Sequence, residues 1–154
     1  MELFIVRPAR PDEADALTAL CLRAKAYWGY DADFMARSRA SLTISRALIE
    51  TGRVLVAERS GELAGMASLD PLKGGMWDLL HMFVEPSAIG TGVGRRLFRE
   101  IAKLARASGG TLLSIQADPN AEAFYIRMGA RRTGEAPSES IPDRMLPMLE
   151  FPLA

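Results

Sequence analysis

The chain has 154 residues, 49% hydrophobic and 25% charged, which predicts one globular domain over residues 1–154. Its 19 Lys and Arg residues balance its 19 Asp and Glu residues, which argues against nucleic acid or an anionic membrane as a partner. The single cysteine, Cys21, excludes an internal disulfide, and with only one histidine we expect no metal site. No apolar run approaches the about 18 residues of a membrane span, and the N-terminal segment lacks a signal-peptide core, so we expect a cytoplasmic protein.

The first third of the chain is predicted to be mainly helical. Acidic residues directly after Pro11 and a glycine at position 52 are typical helix start and stop signals. The predicted elements are a strand from Leu3 to Val6, a helix from Pro11 to about Lys25, a loop with a short helix after it at Tyr27 to Phe34, and a helix from Ser41 to Thr51 that stops at Gly52.

The rest of the chain is rich in predicted strands, with Ser60-Gly61 as a hairpin turn. The strands are Arg53 to Arg59, Glu62 to Leu69, Trp77 to Val84, Thr111 to Ala117, Arg131 to Glu135 and Arg144 to Phe151; the helices are Gly94 to Ala107 and Asn120 to Met128. The middle strand–helix–strand unit should cross over right-handedly and make its two strands parallel neighbours. We therefore predict an α/β (α+β) fold with a mixed, mostly antiparallel sheet.

Three glycines at alternate positions, Gly90, Gly92 and Gly94, lie between a predicted strand and a predicted helix in the stretch MFVEPSAIGTGVGRRL. A helix N-terminus offers unpaired N–H groups and partial positive charge, and preceding glycines let the main chain approach an anion closely. This stretch predicts a pyrophosphate-binding loop made of main chain. The alternative is a glycine-rich turn that only packs a helix onto a strand.

The spacing of these glycines disfavours two other phosphate-binding motifs. The dinucleotide fingerprint requires G-x-G-x-x-G and an acid at the end of the next strand, whereas here the spacing is G-x-G-x-G and Asp118 lies just beyond that strand. A P-loop requires a G-K-S/T sequence that is missing here. A nucleotide-binding oxidoreductase is therefore disfavoured.

The segment LLHMFVEPSAIGTGVGRRL, from Leu79 to Leu97, resembles the acetyl-CoA motif of the GNAT superfamily of N-acetyltransferases. Gly92 and Gly94 match its two small positions, while Ile89 stands where Gln or Arg is usual. A second segment, DPNAEAFYIRMGA, resembles the family's Asn…Ala…Phe-Tyr block. The resemblance implies a GNAT-like sheet flanked by helices and the transfer of an acetyl group from acetyl-CoA to a primary amine by direct attack in a ternary complex.

The resemblance also implies which residues bind acetyl-CoA. The strand main chain of Met82, Phe83 and Val84 would pair with the pantetheine arm, with the Met82 amide facing the thioester oxygen. The loop residues expected at the pyrophosphate are Ile89, Gly90, Thr91, Gly92, Val93, Gly94 and Arg95. Arg96 is equally well explained as part of a solvated helix face.

Tyr125 falls on the family's tyrosine, which commonly protonates the departing coenzyme A thiolate. The alternative is a core aromatic packed beside Phe124. As general base we favour Asp78, four residues before Met82, at a position where some family members carry a catalytic glutamate. An acid in an apolar strand is unfavourable unless it is paired or useful. His81, water and a merely structural strand-end carboxylate remain the alternatives.

Asn120 is expected either to contact the pantetheine, as the family's asparagine does, or to cap the helix of Tyr125, a role that fits Asp118 equally well. The acceptor, a small-molecule or peptide amine, should bind between the first helices and the C-terminal hairpin, where Asp31 and Asp33 would suit a cation. A homodimer through a C-terminal strand is possible on this sequence. The rival function is a coenzyme A-binding regulatory module without transferase activity.

Overall fold

The computed structural model describes residues 4–153, so Leu3 of the predicted first strand lies outside the described residues. Seven strands within this range form one sheet. They are β1 (Phe4–Pro8), β2 (Val54–Arg59), β3 (Glu62–Pro71), β4 (Met76–Val84), β5 (Leu112–Gln116), β6 (Arg131–Pro137) and β7 (Met145–Pro152). The helices are α1 (Ala14–Ala26), α2 (Ala32–Ser38), α3 (Arg46–Glu50), α4 (Val93–Ala107) and α5 (Glu122–Arg127).

The strand order is β1-β2-β3-β4-β5-β7-β6, and neighbouring strands are antiparallel except for the parallel pair β4 and β5. This confirms the predicted mixed, mostly antiparallel sheet with one parallel strand–helix–strand unit. Ser60 and Gly61 both have positive φ, 52° and 79°, as a tight hairpin turn requires. Within residues 4–153, no helix is long and apolar enough to cross a bilayer.

The helix predicted from Ser41 to Thr51 is wrong over its first half. The chain forms a 3₁₀ turn at Ala40–Leu42, continues extended, and becomes helical only over Arg46–Glu50. The Thr18 hydroxyl accepts a hydrogen bond from the Ile44 amide at 2.9 Å, and the Ser45 side chain accepts one from Leu48 N at 3.1 Å. In a longer helix these two amides would bond to main-chain oxygens. Because side chains accept from them instead, α3 begins only at Arg46.

The core has one layer on each face of the sheet. On one face α4 buries Leu97, Phe98 and Ile101, each at most 1% exposed. On the other face α1 buries Leu17, Leu20 and Cys21. Burying an aliphatic or aromatic side chain of this size contributes about 1.5–3 kcal/mol, so the two helices hold the sheet from both sides.

Gly65 on β3 sets how closely α4 approaches the sheet. A Cβ at this position would lie 2.7 Å from Leu97 Cδ1 and 3.0 Å from the main-chain oxygen of Phe83. The Phe83 oxygen belongs to the neighbouring strand and cannot turn aside as a side chain can. Glycine is therefore required here by packing rather than by its φ angle.

We expect Gly65→Ala to destabilise the protein by about 1–3 kcal/mol, because the added methyl overpacks the β3–α4 contact. The matched control is Gly134→Ala on β6, where a Cβ would meet nothing within 4 Å. Urea unfolding of both variants measures the difference. Equal unfolding free energies for the two variants would show that α4 moves aside without cost.

Candidate active site

A gap opens in the middle of the sheet between β4 and β5. These strands are paired only from Met76, opposite Leu112, to Asp78, opposite Ser114. Just beyond this point β4 contains a bulge at Leu80, since the register with β3 shifts by one residue there. A bulge increases local twist and bends its strand, so β4 continues beside β3 while β5 separates from it.

The alternation of an antiparallel ladder determines which main-chain groups of β4 face this gap. The Glu85 amide donates to the Ala64 oxygen at 2.8 Å, which marks these two as a hydrogen-bonded pair. Hydrogen-bonded and non-hydrogen-bonded pairs alternate, so Phe83 bonds to β3. Met82 and Val84 occupy the intervening positions, and their N–H and C=O groups point away from β3 into the gap.

The gap forms a cleft of about 640 Å³. One wall consists of residues 79–84 of β4. The facing wall consists of residues 115–117, at the end of β5 and beyond the point where the two strands separate. Asn120, Phe124 and Tyr125 close one end, and the C-terminal end of α1 with Tyr27 and Trp28 covers another side. Gly90, Gly92, Gly94 and Arg95 line the same cleft, so the glycine loop and the exposed strand edge meet there.

Positive φ angles explain two of the three glycines in the loop. Gly90 and Gly92 have φ of 81° and 91°, and a Cβ at either would meet nothing within 4 Å. Conformation rather than packing therefore requires glycine at these two positions, with open space in front of them. At Gly94, φ is negative and a Cβ would lie 3.4 Å from Val84 Cγ2, an ordinary contact.

The loop and the first turn of α4 present free main-chain donors. None of the following amides donates to a group within residues 4–153: Gly90, Gly92, Val93, Gly94 and Arg95. These donors coincide with the positive end of a 15-residue helix. Such a group of amides can bind a phosphate without any side chain.

The neighbouring loop residues are used differently. The Thr91 amide and hydroxyl both bond to the oxygen of Ala88, and the Val93 side chain is fully buried, so only its amide is available. Ile89 is 47% exposed and lines the cleft, although its amide bonds to Pro86. The loop therefore offers main chain and one apolar side chain rather than polar side chains.

Tyr125 on α5 packs in the core and lines the cleft at once. Its ring lies 5.3 Å from that of Phe124 and 5.9 Å from that of Phe98, and the residue is only 6% exposed. Its hydroxyl makes no hydrogen bond to any group in residues 4–153. Burial raises the pKa of Tyr125, and the negative charge of Asp118 raises it further. The hydroxyl is therefore a protonated donor without an internal partner.

Asp118, rather than Asn120, caps the 3₁₀ turn that leads into α5. Its Oδ1 accepts from the Asn120 amide at 2.8 Å, and its Oδ2 accepts from Lys25 at 2.6 Å and from the Tyr30 hydroxyl at 2.9 Å. Burial alone would raise the pKa of Asp118, but the Lys25 ammonium and these hydrogen bonds hold it below its usual range. Arg144 also donates to the Tyr30 hydroxyl at 2.7 Å, so the β6–β7 loop joins the cluster.

The sequence did not reveal the Lys25, Tyr30 and Arg144 side of this cluster, because its members lie 88 to 114 residues from their partners. Asn120 lines the cleft, and its side-chain amide donates to the Tyr30 hydroxyl at 3.1 Å. The cluster thus ties α1, the start of α5 and the β6–β7 loop together around the cleft. The first helices and the C-terminal hairpin are adjacent there, and the binding of an acceptor between them stays a prediction.

Asp78 lies where β4 and β5 separate. Burial raises its pKa to about 6, and the nearby carboxylates of Asp70 and Glu139 add to the shift. Within the described part of the chain its carboxylate has no hydrogen-bond partner. Asp78 lies beside the cleft rather than in its lining, four residues before Met82, which is about 13 Å along a strand.

His81 is a packed residue with both ring nitrogens engaged. Its Nε2 lies 2.9 Å from the main-chain oxygen of Ser41, which can only accept, so Nε2 carries the proton. Its Nδ1 therefore accepts from the Ser68 hydroxyl at 2.7 Å. Burial lowers the pKa of His81, which keeps the ring neutral.

The carboxylates of Asp31 and Asp33 stabilise α2 and do not face the cleft. Asp31 accepts from the Phe34 amide at 2.8 Å as the helix cap, and Asp33 pairs with Arg37 at 2.9 Å. Neither lines the cleft. Asp118 is the acid that lines the cleft within residues 4–153, and Asp78 lies beside it.

The acetyltransferase (GNAT) domain matches residues 32–148 of the chain. The chain belongs to the GNAT family. A mycothiol acetyltransferase of Nocardia farcinica is 34% identical to it over 127 residues, which are 80% of this chain but only 39% of that protein. This GNAT chain thus spans about two fifths of that relative.

Two further proteins extend the comparison. A 5-NmdU N-acetyltransferase of Pseudomonas phage PaMx11 is 28% identical over 135 residues, 87% of this GNAT chain and 91% of the phage protein. The crystal structure of PaiA N-acetyltransferase from Thermoplasma acidophilum, a complex with coenzyme A, superimposes with a TM-score of 0.78 at 14% identity. That match covers 97% of this chain and 99% of the other, which shows a shared fold.

We expect Asp78→Asn to stabilise the protein at pH 7.5 but not at pH 4. The folded state holds the Asp78 proton up to about pH 6, whereas an unfolded aspartate ionises near pH 4. The wild type therefore loses stability as the pH rises from 4 to 6, a loss that asparagine avoids. The expected gain at pH 7.5 is about 1–3 kcal/mol, measured by urea unfolding at both pH values.

The control for this comparison is Asp33→Asn, which removes a carboxylate whose side chain is 76% exposed. Its unfolding free energy should change little at either pH. A gain for Asp78→Asn of the same size at pH 4 and pH 7.5 would contradict the shifted ionisation.

Proposed function

We propose that this protein transfers an acetyl group from acetyl-CoA to a primary amine by direct attack in a ternary complex. The observation that carries the proposal is the meeting, in one cleft, of two sets of unpaired main-chain groups. One set lies on the separated edge of β4 at Met82 and Val84, and the other lies in the loop from Gly90 to Arg95. A molecule with a diphosphate and an amide-containing arm complements both sets.

In this proposal the loop amides and the N-terminus of α4 hold the pyrophosphate of acetyl-CoA. The pantetheine arm lies along β4 and pairs with the main chain of Met82 and Val84, in the place that β5 leaves open. The main chain of Phe83 is bonded to β3 and is not available to the arm, so Phe83 contributes only to the cleft wall. Asn120 lies close enough to the cleft to contact the arm. The solved relative that holds coenzyme A shares the fold and supports this choice of ligand.

The acceptor amine must lose a proton before it can attack the thioester carbon, because an alkylamine has a pKa of about 10.4. Asp78, with a pKa of about 6, is ionised at neutral pH and takes this proton through a chain of water molecules, since it lies beside the cleft and not in its lining. As the N–C bond forms, the carbonyl oxygen becomes an oxyanion, which the Met82 amide stabilises. The nitrogen of this intermediate loses one proton to water, and collapse then breaks the C–S bond and leaves the amide product and the coenzyme A thiolate.

Tyr125 then protonates the departing thiolate. Its hydroxyl is protonated throughout the neutral range and has no internal hydrogen-bond partner, so it can donate to sulfur. A phenol with a raised pKa is a weak acid. Burial in the same cleft also raises the pKa of the coenzyme A thiol, because burial disfavours any isolated charge. The two shifts have the same direction, so proton transfer remains feasible.

The surroundings of Asp78 favour a cationic acceptor. Asp70 and Glu139 place two further carboxylates near it, from β3 and from the β6–β7 loop. A protonated amine is attracted to this group of charges before it reacts. The acceptor itself is a small molecule or a peptide amine, which enters between the end of α1 and the β6–β7 loop.

The decisive experiment measures free-thiol release from acetyl-CoA with a panel of peptides, polyamines, amino acids and aminoglycosides. We expect Tyr125→Phe to lower kcat about 100-fold without weakening acetyl-CoA binding. Its stability should not change, since the lost hydroxyl has no internal partner. Asp78→Asn should remove the rise in rate with increasing pH around pH 6, and Asp33→Asn should not.

The outcomes of this experiment separate the candidate functions. Acetyl-CoA binding without turnover of any amine would favour a coenzyme A-binding regulatory module. Turnover that is unaffected by Tyr125→Phe would show that another group protonates the thiolate. A protein that does not bind acetyl-CoA would overturn the proposal for the glycine loop.

We expect Gly92→Ala to weaken acetyl-CoA binding about tenfold or more, because a side chain at φ 91° strains the loop that presents the amides. Gly109→Ala is a matched control. Gly109 has φ of 92°, also has nothing within 4 Å of its Cβ position, and lies at the opposite end of α4. Both variants should lose about 1–2 kcal/mol of stability, whereas only Gly92→Ala should lose affinity. Calorimetric titration measures the affinity, and equal losses in both variants would argue against the loop as the phosphate site.

A further inference from the structure

A row of polar side chains crosses the sheet from β3 to β6. Its members lie opposite one another in the strand register, in the order Asp70, Asp78, Ser114, Glu150 and Arg131. Side chains that lie opposite each other on neighbouring strands point to the same face of the sheet. The row therefore presents three carboxylates, one hydroxyl and one guanidinium along a single line.

The row lies on the face of the sheet that carries α1. Trp77 and Leu79, on either side of Asp78, pack in the core layer under α4, and so do the two residues that flank Ser114. Because side chains alternate along a strand, Asp78 and Ser114 point to the other face. The core layer under α1 includes none of the described residues of β5, β6 and β7, so the row extends beyond the edge of that layer.

The row carries an excess of negative charge. The side chains of Asp70 and Glu150 form no ion pair and no hydrogen bond in the described part of the chain, and neither does that of Arg131. Asp70 lies directly opposite Asp78, and like charges in such positions repel each other. The carboxylate of Glu139, in the β6–β7 loop, adds to this repulsion. The row therefore attracts a cation.

Ser114 is a second and independent indication of a cationic ligand. It is only 9% exposed, yet its hydroxyl bonds to no group within residues 4–153. A buried hydroxyl without a hydrogen bond is unfavourable. Ser114 lies between Asp78 and Glu150, in the middle of the row. An ammonium group has three donors and no acceptor, so it can bond to this hydroxyl oxygen and to a neighbouring carboxylate at once.

An apolar stretch joins the row to the proposed point of acetyl transfer. Leu80, the bulged residue of β4, lies between Asp78 and Met82, lines the cleft and is 42% exposed. Leu146 lines the same cleft from β7, on the face that also carries Glu150. These leucines offer a surface for a methylene chain between two polar ends.

The length of this stretch sets the length of a suitable ligand. Met82, whose amide is proposed to face the thioester oxygen, is about 13 Å from Asp78 along β4. The two nitrogens of an extended diaminooctane are about 11 Å apart, and a hydrogen bond adds about 3 Å. A diamine of this length therefore reaches from the thioester to the row.

We propose that the row binds a second ammonium group of the acceptor, and that the acceptor is a linear polyamine. The inference rests on the proposed function and deepens it, since the reacting amine must lie near Met82. The methylene chain lies on Leu80 and Leu146, and the distal ammonium group is bound by Ser114 and Glu150. The carboxylate of Asp70 contributes negative charge to the same place.

The test compares diaminooctane with octylamine as acceptors in the thiol-release assay, at fixed, near-physiological salt. We expect the wild type to have a KM about tenfold lower for the diamine, because only the diamine makes a charge-assisted hydrogen bond in the row. Diaminobutane is too short to reach the row and should show no such advantage over butylamine. Glu150→Gln, Asp70→Asn and Ser114→Ala should each reduce the preference for diaminooctane several-fold.

The matched control is Glu135→Gln. Glu135 belongs to the same hairpin, but it lies opposite Pro147, three residues from Glu150, and hence on the other face of the sheet. This variant should keep the preference for the diamine. A second measurement needs no turnover: diaminooctane should raise the Tm of the wild type more than octylamine does at the same concentration, and Glu150→Gln should lose this difference.

Equal KM values of the wild type for diaminooctane and octylamine would overturn this inference and leave the proposed function intact. Turnover of no amine would overturn the proposed function, and an equal rise in Tm with both amines would then overturn the inference as well. A preference that falls as much in Glu135→Gln as in Glu150→Gln would also overturn it, because the preference would then reflect the general charge of the hairpin rather than the row.

Discussion

The separation of β4 from β5 is the constraint on which the rest of the site depends. A strand inside a sheet normally satisfies its main chain on both sides, and leaving one side unpaired in a buried place is costly. Here β4 keeps β3, loses β5 after Asp78 and bends at the Leu80 bulge. Met82 and Val84 are left with polar groups facing a cleft. An extended ligand in the middle of the sheet would pair with these groups and satisfy them.

Two carboxylates beside the cleft show how the same degree of burial can have opposite results. Asp118 is surrounded by donors from Lys25, Tyr30 and Asn120, and its pKa falls. Asp78 has no such donors, and its other neighbours are acids, so its pKa rises. The first arrangement stabilises the fold, whereas the second destabilises it at neutral pH. A destabilised ionised group in a position useful for chemistry is typical of functional sites.

The sequence was sufficient for features that are local. Alternating and helical patterns predicted β2, β3, β4 and α4, and the three glycines pointed to the loop whose amides are free. It was insufficient where distant residues decide the structure. Thr18 holds Ile44 across 26 residues and shortens α3, and Lys25 meets Asp118 across 93 residues. The Leu80 bulge leaves no local signature in the sequence.

The burial of Cys21 has a consequence for the chemistry proposed here. It is the chain's single cysteine, it is fully buried on the inner face of α1, and burial raises the pKa of its thiol to about 12. A thiol in this state is inert towards disulfides and electrophiles. The proposed reaction releases the coenzyme A thiol at every turnover. In the presence of an oxidant such a thiol forms mixed disulfides with accessible cysteine thiols, and residues 4–153 of this chain present none. It is thereby protected from covalent capture by its own by-product.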